Sequence, residues 1–315
     1  MRLLLYAVSA LVLTAHAQEF PGKPVRIVVP WPPSGNVDIT ARTVAPAFGE
    51  ALGQQVVVEN RAGAAGAIGS AAVAKSPADG YTLLLGSSGT ITAGPAVWKA
   101  QHYDPLKDFV AVGPIQSVPI VLTAAPKTPV SNYVEFLSLA RSKQVSVASA
   151  GSGSSNHLAL ELLMRMANLN LLHVPYKGSG PAITDLLGSQ VECMMDQLTA
   201  SIGHIRDGRI KAIAISSTRR SPLLPNVPTF EESGVKGYEA LTWTGIFAPA
   251  GTPAPVLEKL SVSLGEALTH PTVRERFGGM GVEIMDMGQS EFAAYVRADF
   301  DKWRKVAREG NIVVE

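Results

Sequence analysis

In VRIVVPWPPSGNVDITARTVA, residues 25–45, the chemistry changes twice within one stretch. Residues 25–29 are apolar and mostly β-branched, as in a strand buried on both faces. Residues 30–35 then bring three prolines, a tryptophan, a serine and a glycine. Each proline fixes its own φ and restricts the residue before it, so this loop is stiff. From residue 38 to 52 apolar residues recur at helical spacing. A buried strand, a glycine-bearing loop and a helix form the repeating unit of a parallel α/β sheet.

The same design recurs in LLLGSSGTITAG, residues 83–94, and VASAGSGSSNHLALELL, residues 147–163. Further strands are expected at QVVVEN, PIVLTA, LLHVPY, VECMMD, IKAIAIS and TGIFAP. Helices are expected at 66–75, 131–142, 154–168, 180–188, 199–207, 253–269, 271–278 and 289–308. In open α/β sheets ligands bind at the carboxyl ends of the strands, where these three loops lie. Backbone N–H groups at a helix start are unpaired and partly positive, and small residues let an anion approach them. The plain reading of each loop stays open beside this one. Asp38, Thr90 and Ser154 also read as helix N-caps, and the glycines as turn formers.

Composition sets the limits. The chain has 315 residues, 46% hydrophobic and 17% charged, enough for one large or two medium domains. Its start has the signature of a secretory signal peptide: basic Arg2, an apolar run, then AHA at 15–17. Cleavage is expected after Ala17, leaving Gln18 first, with no cysteine there for a lipid anchor. Removing Arg2 from 27 basic residues leaves 26 against 26 acidic ones. A neutral chain offers no electrostatic footprint for nucleic acid or an anionic membrane. A soluble protein in an exported compartment, a periplasm, is expected. The single cysteine, Cys193, reads as a small buried hydrophobe and forms no internal disulfide.

The loop segments 30–38, 86–90 and 149–157 contain no Arg or Lys, so no bidentate arginine fork is available there. Neutral donors are plentiful: Ser34, Asn36, Ser87, Ser88, Thr90, Ser152, Ser154, Ser155 and Asn156. Pro33, Gly35 and Gly153 shape the loops around them. Trp31 reads either as a packing wedge or as an aromatic wall for a ligand. His157 reads as a carboxylate donor or as first-turn packing, and Tyr176 and Lys177 follow a strand end. The rival reading is a serine hydrolase using Ser88 or Ser154 with His157 or His204. No Gly-x-Ser-x-Gly elbow, His-Glu-x-x-His metal spacing or P-loop supports it. No catalytic residue, metal or cofactor is expected.

Over residues 20–311 the chain resembles the substrate-binding proteins of tripartite tricarboxylate transporters, the TctC or Bug family. The resemblance rests on FPGKPVRIVVPWPPSGNVDITARTVA, GQQVVVENRAGAAGAIGSAAVAKSPADGYTLLLG and YDPLKDFVAVGPI. It continues through SAGSGSSNHLALELL, HVPYKGSGPAITDLLGSQV, LPNVPTFEESGVKGYE and IFAPAGTPAPV. It implies a two-domain α/β periplasmic binding protein, a type II-like clamshell with the ligand cleft between domains. Domain one would span 18–122 plus 245–315 and domain two 123–244, with crossings at IVLTAAP (120–126) and LTWTGIF (241–247). It implies a monomeric, non-enzymatic binder of a small carboxylate that serves a large and a small integral-membrane permease subunit. Such ligands include di- and tricarboxylates, acidic amino acids, nicotinate and aromatic dicarboxylates such as terephthalate. It also places Asp196 on the cleft side. One departure stands out: Ser34 replaces the first glycine of the family's first loop.

Overall fold

A computed structural model describes residues 20–100 and 102–314. The expected signal peptide and its cleavage point lie outside the described residues. In chain order the elements begin with β1 (Val25–Val29), α1 (Asn36–Leu52) and β2 (Val56–Asn60). A 3-10 turn (Ala64–Gly66) leads into α2 (Ala67–Ala74). β3 (Thr82–Ser87) is followed by a π-helical turn (Ser88–Ala93), α3 (Gly94–Val97) and the long β4 (Phe109–Ala124). Next come α4 (Tyr133–Ser142), β5 (Ser146–Ser149), α5 (Ser155–Ala167), β6 (Leu172–Pro175) and α6 (Ser179–Leu187). Then follow β7 (Cys193–Gln197), α7 (Leu198–Arg206), β8 (Lys211–Ile215) and β9 (Leu241–Pro249). The chain closes with α8 (Ala254–Thr269), α9 (Pro271–Gly279), β10 (Glu283–Ile284) and α10 (Gln289–Gly310).

β4 organises the sheet. Its first part, Phe109 to Pro119, pairs antiparallel with β9, beyond which β3, β1 and β2 follow. Its second part, Ile120 to Ala124, pairs antiparallel with β7, beyond which β5 and β6 follow. β1–β2, β1–β3, β5–β6 and β5–β7 are all parallel. One strand thus belongs to two sheets of βα units. The sequence suggests a strand only at 119–124. The part before it contains Gly113, Pro114 and Pro119 and shifts register twice, between Ala111 and Gly113 and between Pro114 and Gln116. Proline and glycine are tolerated in strands at such bulges, which hide the strand pattern.

Each sheet has its own core. Val25, Ile27, Leu83 and Ile246 pack against Phe48 of α1 and Leu260 of α8. Leu122, Val147 and Met195 pack against Phe136 of α4 and Leu160 and Leu163 of α5. Cys193 lies inside the second core, where burial pushes its thiol far up. Leu158 of α5 joins Ala93, Val97, Trp303 and Ala307 in a smaller cluster that ties the second sheet to α10.

Two helix starts differ from the capping read in the sequence. Gly35, not Asp38, is the N-cap of α1, and Asp38 sits in its first turn. Ser87, not Thr90, caps the π-helical turn, with Thr90 as the reciprocal member of a capping box. Ser154 does cap α5, accepting from the His157 N–H.

Candidate ligand-binding cleft

The loops after β1, β3, β5 and β6 and the end of β7 converge where the two sheets face each other. Between them lies a chamber of about 710 Å³. On the first-sheet side it is bounded by Trp31, Pro32, the small-residue segment 62–67, Trp98, Ala100 and His102. On the other side stand Ala150, Gly151, Ser152, Tyr176, Lys177 and Gly178. A narrow recess of about 30 Å³ continues inward, sharing Trp31, Pro32, Ala150 and Gly178 with the chamber. Gly35, Asn36, Val37, Ser87 and Thr242 line it from one side, and Ser154, Ser155, Ser179 and Gln197 from the other. No charged side chain among the described residues lines the recess.

On the first-sheet side the proline loop is fastened from below. Asp38 accepts from the Ser34 N–H at 3.0 Å, from Arg42 Nε and from Asn60 Nδ2. Burial opposes its charge, but Arg42, the Ser34 amide and Asn60 outweigh it and hold the carboxyl below its ordinary value. Asn60 Nδ2 also donates to the Trp31 carbonyl at 3.0 Å, fixing the loop at its tryptophan. A Cβ on Gly66 or Gly89 would stand 3.4 or 3.3 Å from the Trp31 ring, so the indole is wedged between small residues. Asn36 Oδ1 accepts from Gln116 Nε2 at 3.2 Å. Its Nδ2 and the Trp31 Nε1 are buried donors without a partner among the described residues.

On the other side Gly151 and Gly153 take φ of +134° and +78°, conformations that favour glycine. Ser154 Oγ donates to the Gly151 carbonyl at 2.7 Å. Gln197 at the recess wall and Asn156 behind it exchange amide hydrogen bonds of 2.7 and 3.3 Å. Asp196 lies beneath them, fully buried, accepting from Asn156 Nδ2, Ser179 Oγ and Ser201 Oγ at 3.0, 2.7 and 3.3 Å. Burial raises its carboxyl to about 6 despite those bonds. Tyr176 donates to Asp185 at 2.7 Å, and burial together with that carboxylate raises its hydroxyl to about 12.

Of the residues singled out from the sequence, Trp31, Gly35, Asn36, Ser87, Ser152, Ser154, Ser155 and Tyr176 line the chamber or recess. Pro33 and Ser34 are exposed and belong to neither lining. Ser88, Thr90, Gly153, Asn156, His157 and Asp196 stand outside both linings, in or directly behind the loops that form them. His157 turns from the cleft: its Nδ1 accepts from the Gly153 N–H and its Nε2 faces Glu161. Sequence reasoning missed Pro32, segment 62–67, Trp98, Ser179, Gln197 and Thr242. Ser179 had a signal, because HVPYKGSG repeats the strand, glycine, helix-start design of the three chosen loops. Trp98 and Thr242 had none, since tertiary packing alone brings them in.

The family model described as "Tripartite tricarboxylate transporter family receptor" matches residues 40–312. Protein BugT of Bordetella pertussis is 36% identical, over 96% of this chain and 94% of its own. The solved structure of the periplasmic binding protein BugD superposes with a TM-score of 0.90 at 37% identity, covering 94% of this chain and all of that one. That of R. palustris Rpa4515 with adipate gives 0.90 at 33% identity, covering 94% and 99%. A two-sheet α/β periplasmic binding protein fold and a family match spanning most of the chain place this protein in the TctC family of tripartite tricarboxylate transporter receptors.

Proposed function

We propose that the protein is an exported monomer that captures a small dicarboxylate in the recess and chamber. It then delivers the ligand to a large and a small membrane permease subunit. The observation that carries this reading is the pair of buried, unpartnered donors, Asn36 Nδ2 and Trp31 Nε1, in residues lining the recess. A buried donor left unmade costs about 1–3 kcal/mol, which an accepting carboxylate oxygen offsets. The start of α1 adds partial positive charge beside them. Each hydrogen bond to a charged group contributes about 1.5–3 kcal/mol, so four or five reach the roughly 8 kcal/mol of micromolar binding. The adipate complex of the R. palustris relative supports a ligand with two carboxylates. In this chain Lys177 and His102 border the chamber and suit the outer one, while Trp31 and Trp98 suit an apolar body between them, aliphatic or aromatic.

The lobes that close on the ligand would be residues 18–122 with 245–315, and 123–244. The change of partner along β4 between Pro119 and Ile120 supports a hinge there. A hydrolase is disfavoured by the serines themselves. Ser154 Oγ is committed to Gly151, and Ser88 Oγ is buried without a histidine partner. Ser149 does meet the His173 ring at 2.6 Å, but Ser149 is fully buried.

A thermal-shift panel of C4–C6 aliphatic, acidic amino-acid and aromatic dicarboxylates tests the reading. A ligand at 100 times Kd adds about 2.7 kcal/mol of stability. One member is expected to raise Tm strongly, with the shift lost in Asn36→Leu. A panel without any shift, or turnover of the ligand, overturns the proposal.

A further inference from the structure

We propose that a stacked histidine pair, His157 and His173, positions the Gly151–Gly153 loop of the binding cleft and itself contacts no ligand. The inference rests on the cleft as read above, because the loop supplies Ser152 to the chamber and leads into Ser154 at the recess.

Gly151 and Gly153, both at positive φ, have no side chains with which to anchor this loop, so polar partners must hold their backbone. Here the Ser154 N–H closes a turn onto the Gly151 carbonyl at 3.1 Å. Ser154 Oγ reinforces that turn on the same carbonyl at 2.7 Å, and two further holds, on the glycine amides, lead to imidazoles. The Gly151 N–H donates to Ser149 Oγ at 3.2 Å, and that hydroxyl meets His173 Nε2 at 2.6 Å. The Gly153 N–H donates to His157 Nδ1 at 3.1 Å. The two rings stack with centroids 4.1 Å apart and planes 13° from parallel.

The far edge of His157 is also occupied. Its Nε2 lies 3.3 Å from Glu161 Oε1, one turn along α5. A proton on Nε2 serves this carboxylate and leaves Nδ1 bare, as the Gly153 amide requires. Glu161 therefore sets the tautomer, His157 holds the amide, and His173 supports the ring from its face. On the opposite side of the loop stands Trp98, since a Cβ on Gly153 would come within 2.5 Å of Trp98 Nε1. Gly153 is clamped between an indole and an imidazole acceptor. His157, half a turn into α5 and 7% exposed, is thereby removed from the set of ligand donors.

Leucine and asparagine both branch at Cγ as histidine does, but only asparagine places an acceptor where Nδ1 stands. Hydrogen exchange at the Gly153 amide, read by NMR in the unliganded full chain, isolates that bond. His157→Leu is expected to lower Gly153 protection by at least about tenfold, whereas His157→Asn stays within about threefold of the wild type. Equal protection in the leucine variant, or an equal fall in both variants, overturns the proposal. Should the leucine variant not fold, the ring nitrogen shifts of His157 in the wild type decide. A bare Nδ1 upholds the proposal and a protonated Nδ1 overturns it. None of these measurements uses a ligand, so failure of the carboxylate reading appears separately, in the ligand panel.

Discussion

Ser34 holds φ at +69°, in the left-handed region, with its side chain exposed and its amide bonded to Asp38. The sequence marks it as the place where this chain departs from its family's glycine, in a loop that borders the cleft. The hydroxyl, however, lies outside both cavity linings. What the serine adds is backbone strain, because a Cβ in the left-handed region costs about 1–2 kcal/mol, offset in part by a less floppy unfolded chain. Ser34→Gly is therefore expected to raise stability in urea unfolding by about 0.5–1 kcal/mol and to leave ligand preference unchanged. A change in which carboxylate binds would restore the serine to the site.

The π-helical turn after β3 shows what an element asks of one hydroxyl. Thr90 is fully buried; its Oγ1 accepts from the Ser87 N–H at 3.1 Å and points back at the Ser87 carbonyl at 3.3 Å. Its methyl fills the space beside Gly66, where a Cβ would come within 2.5 Å. Thr90→Val keeps the shape and removes the reciprocal half of the capping box, and is expected to cost about 1–2 kcal/mol and to weaken binding through Ser87. Thr90→Ser keeps that hydroxyl and is expected to cost less; the reverse order in denaturation would make the methyl dominant. The three chosen loops were legible because each joins a β-branched run to a helical pattern through small polar residues. Position within them was not. Thr90 and Ser154 look alike on paper, but one is the third residue of its turn and the other the cap. The first part of β4 was illegible because bulges at Gly113 and Pro114 break the alternation, and a strand shared by two sheets has no sequence mark. Trp98 and Thr242 reach the cleft only through the packing of both halves.

At the scale of the molecule, the two sheets meet along β4, where the hinge is proposed, and again across the cleft, where Pro32 and Gly178 are the proposed gate. At the hinge Ser216 Oγ accepts from the Ile120 N–H at 2.8 Å and donates to the Ala240 carbonyl at 2.6 Å, stitching β4 to the segment entering β9. At the gate Pro32 faces Gly178, and both residues border the chamber and the recess. A recess of about 30 Å³ has room for little more than a water, so on the proposed reading a carboxylate enters when this contact parts. A Cβ on Gly178 would lie 3.5 Å from the Pro32 Cβ, within the roughly 3.5–4.5 Å spanned by disulfide Cβ pairs. The double variant Pro32→Cys, Gly178→Cys therefore ties the loop after β1 to the loop after β6 in the arrangement seen here. The one native thiol, Cys193, is fully buried and does not compete for pairing. Gly178 has φ of +113° and ψ of 170°, a region kept almost wholly for glycine, so its substitution strains the backbone by about 1–3 kcal/mol, against the 2–4 kcal/mol a disulfide typically contributes. Oxidised while empty, the variant is expected to exclude the dicarboxylate that stabilises the wild type; oxidised while loaded, it is expected to retain that ligand through dialysis. Reduction should restore exchange in both cases. Exchange at the wild-type rate by the fully oxidised protein would mean that ligand passes elsewhere and that Pro32 and Gly178 are no gate.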